Sequence, residues 1–220
     1  MATRPPKPEA PRSAYHHGNL RDALIASAIE LIEENGVDKL SVREAAKRAG
    51  VSPGAPFRHF ATRTALLTAV AEQATRRLRT AVEHAVEAAA GQPPLGRFAA
   101  IGRAYLGWAH ANPTHFRVIS ERALVDYASS PSLGADNEAI RQQMQDLLAE
   151  AFGTAMDAAD RAHAQVAARA LVYGLARMAV DGHFPEWSPG GAPAPLAMER
   201  TLDFFIGLLA SRRRPSLSKK

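Results

Sequence analysis

The sequence contains no cysteine. Disulfide scaffolds, thiolate zinc sites and cysteine nucleophiles are therefore excluded together, and a reducing compartment is compatible with that composition. Nor is there an apolar run near the roughly 18 residues that a membrane span requires. The opening stretch MATRPPKPEAPRS carries basic residues with no apolar segment behind them, which is not a secretory signal. The expectation is a soluble, cytoplasmic protein that contacts no membrane. Catalytic patterns are missing as well. No Ser/His/Asp set or carboxylate pair stands out, and neither GQPPLG (91–96) nor SPGGAP (188–193) carries the Lys-Ser/Thr that follows a phosphate cradle. The expectation is not an enzyme, and no cofactor is implied.

What is present is an uneven charge. The net of +5 divides into a basic N-terminal part and an acidic body. Residues 1–80 hold 13 Lys and Arg against 8 Asp and Glu, whereas residues 81–211 hold 9 against 14. The end, RRRPSLSKK, is basic throughout its charged positions. This asymmetry points the N-terminal part toward a polyanion.

Residues 1–14 contain Pro5, Pro6, Pro8 and Pro11 beside Arg4, Lys7 and Arg12, and are expected to form a flexible basic arm. From Leu20 the pattern becomes helical: Leu20, Leu24, Ala28, Leu31 and Ile32 recur at helix spacing and Asn35-Gly36 stops them. Ser41-Val42-Arg43-Glu44 is a capping box, opening a short helix of Ala45, Ala46 and Ala49 that Gly50 ends. Ser52 and Pro53 then open a third helix expected over 53–60, and Thr62 caps a fourth that runs to about residue 90. Further helices are expected over 96–111, 114–128, 136–156, 159–182 and 196–211, separated by Pro- and Gly-bearing stretches. No segment reads as a strand. The fold class is all-α with about nine helices.

Two short helices joined by Gly50-Val51-Ser52 are the most informative feature. A tight turn containing Gly lets the second helix cross the first steeply and enter a DNA major groove. Ala45, Ala46 and Ala49 allow close approach, Val51 fills the corner, and Leu40, Val42 and Phe60 seal the unit. The outward residues are then Gly54, Ala55, Phe57, Arg58 and His59. The stretch YHHGNLRDALIASAIELIEENGVDKLSVREAAKRAGVSPGAPFRHFATRTALL (15–67) resembles the DNA-binding domain of the TetR family of bacterial transcriptional regulators. The remainder resembles that family in length and helical pattern. ALVYGLARMAVDG (170–182) is reminiscent of one ligand-binding subgroup, whose usual His-Gly pair would be Tyr173-Gly174.

The resemblance implies a helix-turn-helix domain over 15–62, a larger helical effector-binding and dimerisation domain over 63–211, and a basic tail over 212–220. It implies that Arg43 reaches a base edge, where a planar fork can bond guanine O6 and N7 together; a surface ion pair is the other reading of Arg43. Pro53, Gly54 and Ala55 would approach bases, while Phe57, His59 and Arg63 would lie on the phosphate backbone. Arg58 is a further base or phosphate candidate, the helix starts at Ser41 and Thr62 are suited to anions, and Ser52 is a further DNA-contact candidate. Two departures stand out: Phe57 replaces the usual Tyr and so lacks its phenol, and Pro56 lies unusually deep for a helix start.

Candidate effector-pocket residues are Tyr105, Trp108, Phe116, Met144, Tyr173 and Met178, for which plain core packing is the alternative. His110 and His115 could border the same pocket or lie in a loop. His16 and His17 are adjacent and point apart on a helix with no third ligand, so no metal site is expected. By family resemblance Leu171, Leu175, Leu202, Phe205 and Leu209 would pair with a second copy in a four-helix bundle. The expected partners are a double-stranded DNA operator, a small-molecule effector and a second copy of the chain, together making a homodimeric repressor. An all-helical enzyme and a ligand-free architectural DNA-binding protein are the rivals.

Overall fold

The computed structural model describes residues 20–212. The basic arm, His16-His17 and tail residues 213–220 lie outside the described residues. Among those described there are nine α-helices and no strand, an all-α fold. The chain forms two compact units that divide between Thr62 and Arg63.

The first unit is built from α1 (Leu20–Asn35), α2 (Val42–Arg48) and a 3-10 turn over Ala55–Arg58. Leu24, Ile25, Ala28 and Ile32 of α1 are buried with Leu40, Val42, Ala45, Ala46 and Phe60, so the alanines of α2 do bring it close to α1. Ser41 caps α2, its Oγ accepting the Glu44 amide at 3.1 Å. The other end closes on Gly50 at φ +70°. There the Val51 amide reaches the Ala46 carbonyl at 3.1 Å and the Gly50 amide reaches that of Lys47 at 3.2 Å. This pair of bonds is the Schellman arrangement, and it needs a residue without a Cβ at the left-handed position.

The helix expected over 53–60 is not an α-helix. Only Ala55–Arg58 is helical, with 3-10 geometry. Pro56 lacks the N–H that an α-helix opening at Pro53 would return to the Ser52 carbonyl, whereas the missing N–H of Pro53 costs nothing in a first turn. The Ala55 amide turns tightly to the Ser52 carbonyl at 3.0 Å and the His59 amide to that of Pro56 at 2.8 Å. Pro56 is fully buried.

The second unit contains α3 (Arg63–Ala88), α4 (Pro94–Ala111), α5 (Pro113–Ser120), α6 (Pro131–Phe152), α7 (Ala158–Asp181), α8 (Phe184–Trp187) and α9 (Ala194–Ser211). Here α4 is the hub, packing on α3, α6, α7 and α9. Gly102 is the point of closest approach to α9: a Cβ there would stand 2.9 Å from Leu202 Cδ2. Two expected boundaries are corrected. The helix expected over 114–128 ends at Ser120, where Glu121 leaves helical geometry at ψ 85°. The helix expected from 136 begins at Pro131, because Ser130 acts as its N-cap and Pro131 occupies the first turn, where a missing N–H is harmless. Thr68 holds the intervening loop, its Oγ1 accepting the Asp126 amide at 3.0 Å.

Candidate functional site

The outward residues of the first unit form one group. Arg43 on α2 is exposed, as are Ser52, Pro53, Gly54, Phe57, Arg58 and His59 around the turn, while Ser41 and Ala55 are half-buried. Thr62 ends this unit, and Arg63 opens α3 of the second. A residue that sequence reasoning passed over is Lys47, exposed one helical turn beyond Arg43; its position four residues on was the available signal.

The cations of the unit have different tasks. Arg48 is committed internally, gripping Glu34 of α1 through both guanidinium nitrogens at 2.6 and 2.5 Å and standing 3.6 Å from Glu30. That hydrogen bonding holds the Glu34 carboxyl below its ordinary value. Among the described residues no carboxylate pairs with Arg43, Lys47 or Arg58. The surface-ion-pair reading of Arg43 thus finds no acidic partner among the described residues. Arg21 lies over the Phe60 ring, 5.7 Å from its centroid, covering the buried aromatic.

The second unit contains a cavity of about 690 Å³ whose walls come from α3, α4, α6, α7 and α9. Tyr105, Met144 and Tyr173 line it. The other three residues expected there are corrected. Phe116 is fully buried between Tyr105 and Tyr173, with ring centroids 6.2 and 6.0 Å away. Trp108 packs edge-on against His115, and Met178 joins the core beside that cluster. Thus Phe116 supports two wall residues from behind. His115 is buried, and its Nε2 has no partner among the described residues. Burial first, and the charge of Arg77 second, hold its pKa below the ordinary 6.5. His110 is exposed.

Sequence reasoning missed the polar element of the cavity wall. Arg169 donates to Tyr105 Oη at 2.8 Å and lies over the Tyr105 and Tyr173 rings, 4.7 and 5.4 Å from their centroids. Burial pushes the Tyr105 phenol above its usual value, with Arg169 opposing, so the hydroxyl keeps its proton at neutral pH. The signal was weak: a single Arg among the small and apolar residues of 164–176.

The dimer stripe is also corrected. Leu175, Leu202 and Leu209 are buried in the chain's own core, and Leu202 is the side chain against Gly102. Leu171 and Phe205 are half-buried. The large apolar side chains that α9 exposes are Phe204 (68%), Leu208 (53%) and, in its first turn, Leu196 (38%). Among the described residues no group of three or more His, Asp or Glu gathers as a metal site, and no helix is long and apolar enough to cross a membrane.

Comparison with known proteins gives this architecture a relative for each unit. Residues 24–70 match the family model described as bacterial regulatory proteins, tetR family. Residues 98–205 match a tetracyclin repressor-like C-terminal domain. The HTH-type transcriptional regulator BetI of Cronobacter sakazakii is 27% identical over 186 residues, 83% of this chain and 86% of that one. The tetracycline repressor protein class C of Escherichia coli is 42% identical over 52 residues. That match spans only about a quarter of either protein, 24% of each. A solved structure of a protein with unknown function from Rhodococcus sp. RHA1 superposes with a TM-score of 0.74 at 33% identity, over 90% of this chain and 100% of that one. With a reading unit and a helical body both matched, the chain belongs to the TetR family, and it is a helix-turn-helix DNA-binding transcriptional regulator rather than an enzyme.

Proposed function

We propose that this chain is a cytoplasmic homodimeric repressor that binds a double-stranded operator and leaves it when a small molecule enters the cavity of the second unit. The carrying observation is the outer face of the first unit. Arg43, Lys47 and Arg58 lie on it, as do exposed Phe57 and His59, and the three cations have no acidic partner among the described residues. Arg43 reads a base edge by bidentate bonding. Pro53, Gly54 and Ala55 supply close, small contacts, and Lys47, Arg58 and His59 hold phosphates. Arg63 and Thr62 are carried as phosphate contacts on family resemblance, with Ser41 and Ser52 at the rims.

Dimerisation supplies the second half-site. The supporting feature is an apolar face on α9 in which exposed Phe204 and Leu208 stand one turn apart, with half-buried Phe205 adjoining in the chain; α7, which packs on α9, carries half-buried Leu171. A pair of such faces removes both aromatic rings from water in a symmetric contact. Release requires that the effector bind more tightly to a state whose reading heads are wrongly spaced; equal affinity for both states would move nothing.

The test is selection of a duplex from a random library, followed by fluorescence titration at several salt concentrations. A selected duplex bound about a thousand-fold more tightly than random sequence supports the reading. Affinity equal to that for random duplex at every salt concentration overturns it.

A further inference from the structure

We propose that the cavity takes an apolar organic monoanion, a carboxylate on an alkyl or aryl body, whose head is held by Arg169 and Tyr105. This rests on the reading of the cavity as the effector site. The wall carries charge of one sign only. Arg141 and Arg169 line it, and no Asp or Glu does.

The two arginines are not equivalent. Arg141 spends its guanidinium on Glu138, through both Nε at 2.7 Å and Nη2. Arg169 has no carboxylate partner among the described residues. Among the described residues it gives one N–H, to Tyr105 Oη, which leaves most of its five donors available. Stacking over two tyrosine rings fixes the plane of the fork before any ligand arrives. Tyr105 accepts from Arg169, and no described residue takes its own O–H. The hydroxyl therefore adds a second donor beside the first.

Of the rest of the wall, Asn137 and Gln165 donate their side-chain amides to the Leu133 and Arg141 carbonyls, and Leu78, Phe98, Ile101, Ile140, Val172 and Leu202 make it chiefly apolar. About 690 Å³ lies within the range of small-molecule sites. Arg169 and Val166 (67% exposed) are on the solvent side of α7, whereas Phe98 and Leu202 are buried. A ligand that keeps its charged head at the mouth and its body inside satisfies both ends. A cationic head would meet Arg169 with no lining carboxylate to offset it, and a neutral head would leave the strongest donor uncompensated.

Calorimetric titration of the full chain tests this with octanoate, decanoate and 4-phenylbutyrate as probes, each beside its primary amide, and with decylamine. The expected result is carboxylate binding about ten-fold or more tighter than the matching amide. R169Q should reduce that preference to less than about two-fold, and Y105F should reduce it in part. A thermal melt of each variant establishes that it is folded. An amide or decylamine bound as tightly as decanoate, an unchanged preference in R169Q, or no binding by any probe overturns the proposal. The two readings separate with the selected duplex in hand. Carboxylate-selective binding that leaves duplex affinity unchanged upholds the ligand class and overturns effector release. Release by the amine or the amides upholds effector release and overturns the ligand class.

Discussion

Arg43 and Arg48 show how one residue type divides its work within a single short helix. Arg48 is locked onto Glu34 and Glu30, so its contribution is to fasten α2 to α1. Among the described residues Arg43 has no such partner, and the proposal gives its donors an external acceptor. R43A is expected to weaken binding of the selected duplex by about 10- to 100-fold and to relax preference at one base position, whereas K47A should weaken all sequences alike and lower the salt slope by about one. Titrations against single-base variants of the duplex check both. His115 makes a prediction of a different kind. Its folded-state pKa lies below the ordinary value, so the unfolded chain binds the proton more readily. Stability is then fully present above about pH 6.5 and falls as pH drops toward the folded value. H115F should keep the ring against Trp108 and flatten this acid branch in thermal melts from pH 7.5 to 5. An unchanged branch would assign it to other groups.

Between elements, capping and proline placement decide more than hydrophobic period does. The Ser41 cap and the Gly50 stop were legible because both are local: a side-chain oxygen three residues from an amide, and a backbone angle that a Cβ penalises. S41A should cost about 1 kcal/mol of stability, measured by denaturant melts, through loss of the Glu44 amide's acceptor. The third helix is shorter and tighter than its spacing predicts for a related reason. The helix expected to open at Ser52-Pro53 starts at Ala55 instead, after a turn that the Ala55 amide closes on the Ser52 carbonyl; Pro56 removes the donor that an α-helical turn needs, and 3-10 geometry results. Likewise Ser130-Pro131 resembles a breaker in sequence and acts as a cap and first turn in the fold. The same residues serve both ends of helices, and only the direction of the following chain distinguishes them.

At the scale of the whole molecule, the second unit assigns inside and outside in a way that helical spacing alone leaves open. Leu202 and Phe204 are two residues apart on α9. One closes onto Gly102 of α4, and the other faces solvent. Both stripes are apolar, so the sequence pattern has two candidate faces and no means of ranking them. With the inner face identified, the paired substitution F204E/L208E is expected to leave the fold intact. It should convert a dimer to a monomer in sedimentation experiments, and weaken duplex binding at least ten-fold by removing the second half-site. A variant that remains dimeric would move the contact elsewhere.

What the sequence by itself determined is the all-α class, the reading unit with its stops and caps, and the family, because each depends on local backbone chemistry and short spacing. Tertiary structure alone decided which aromatics line a cavity and which lie behind it, that Arg169 stacks on Tyr105 and Tyr173, and which face of α9 is left uncovered. Those outcomes depend on the rotation of one helix against another, and every apolar stripe contributes to burial in the same non-directional way.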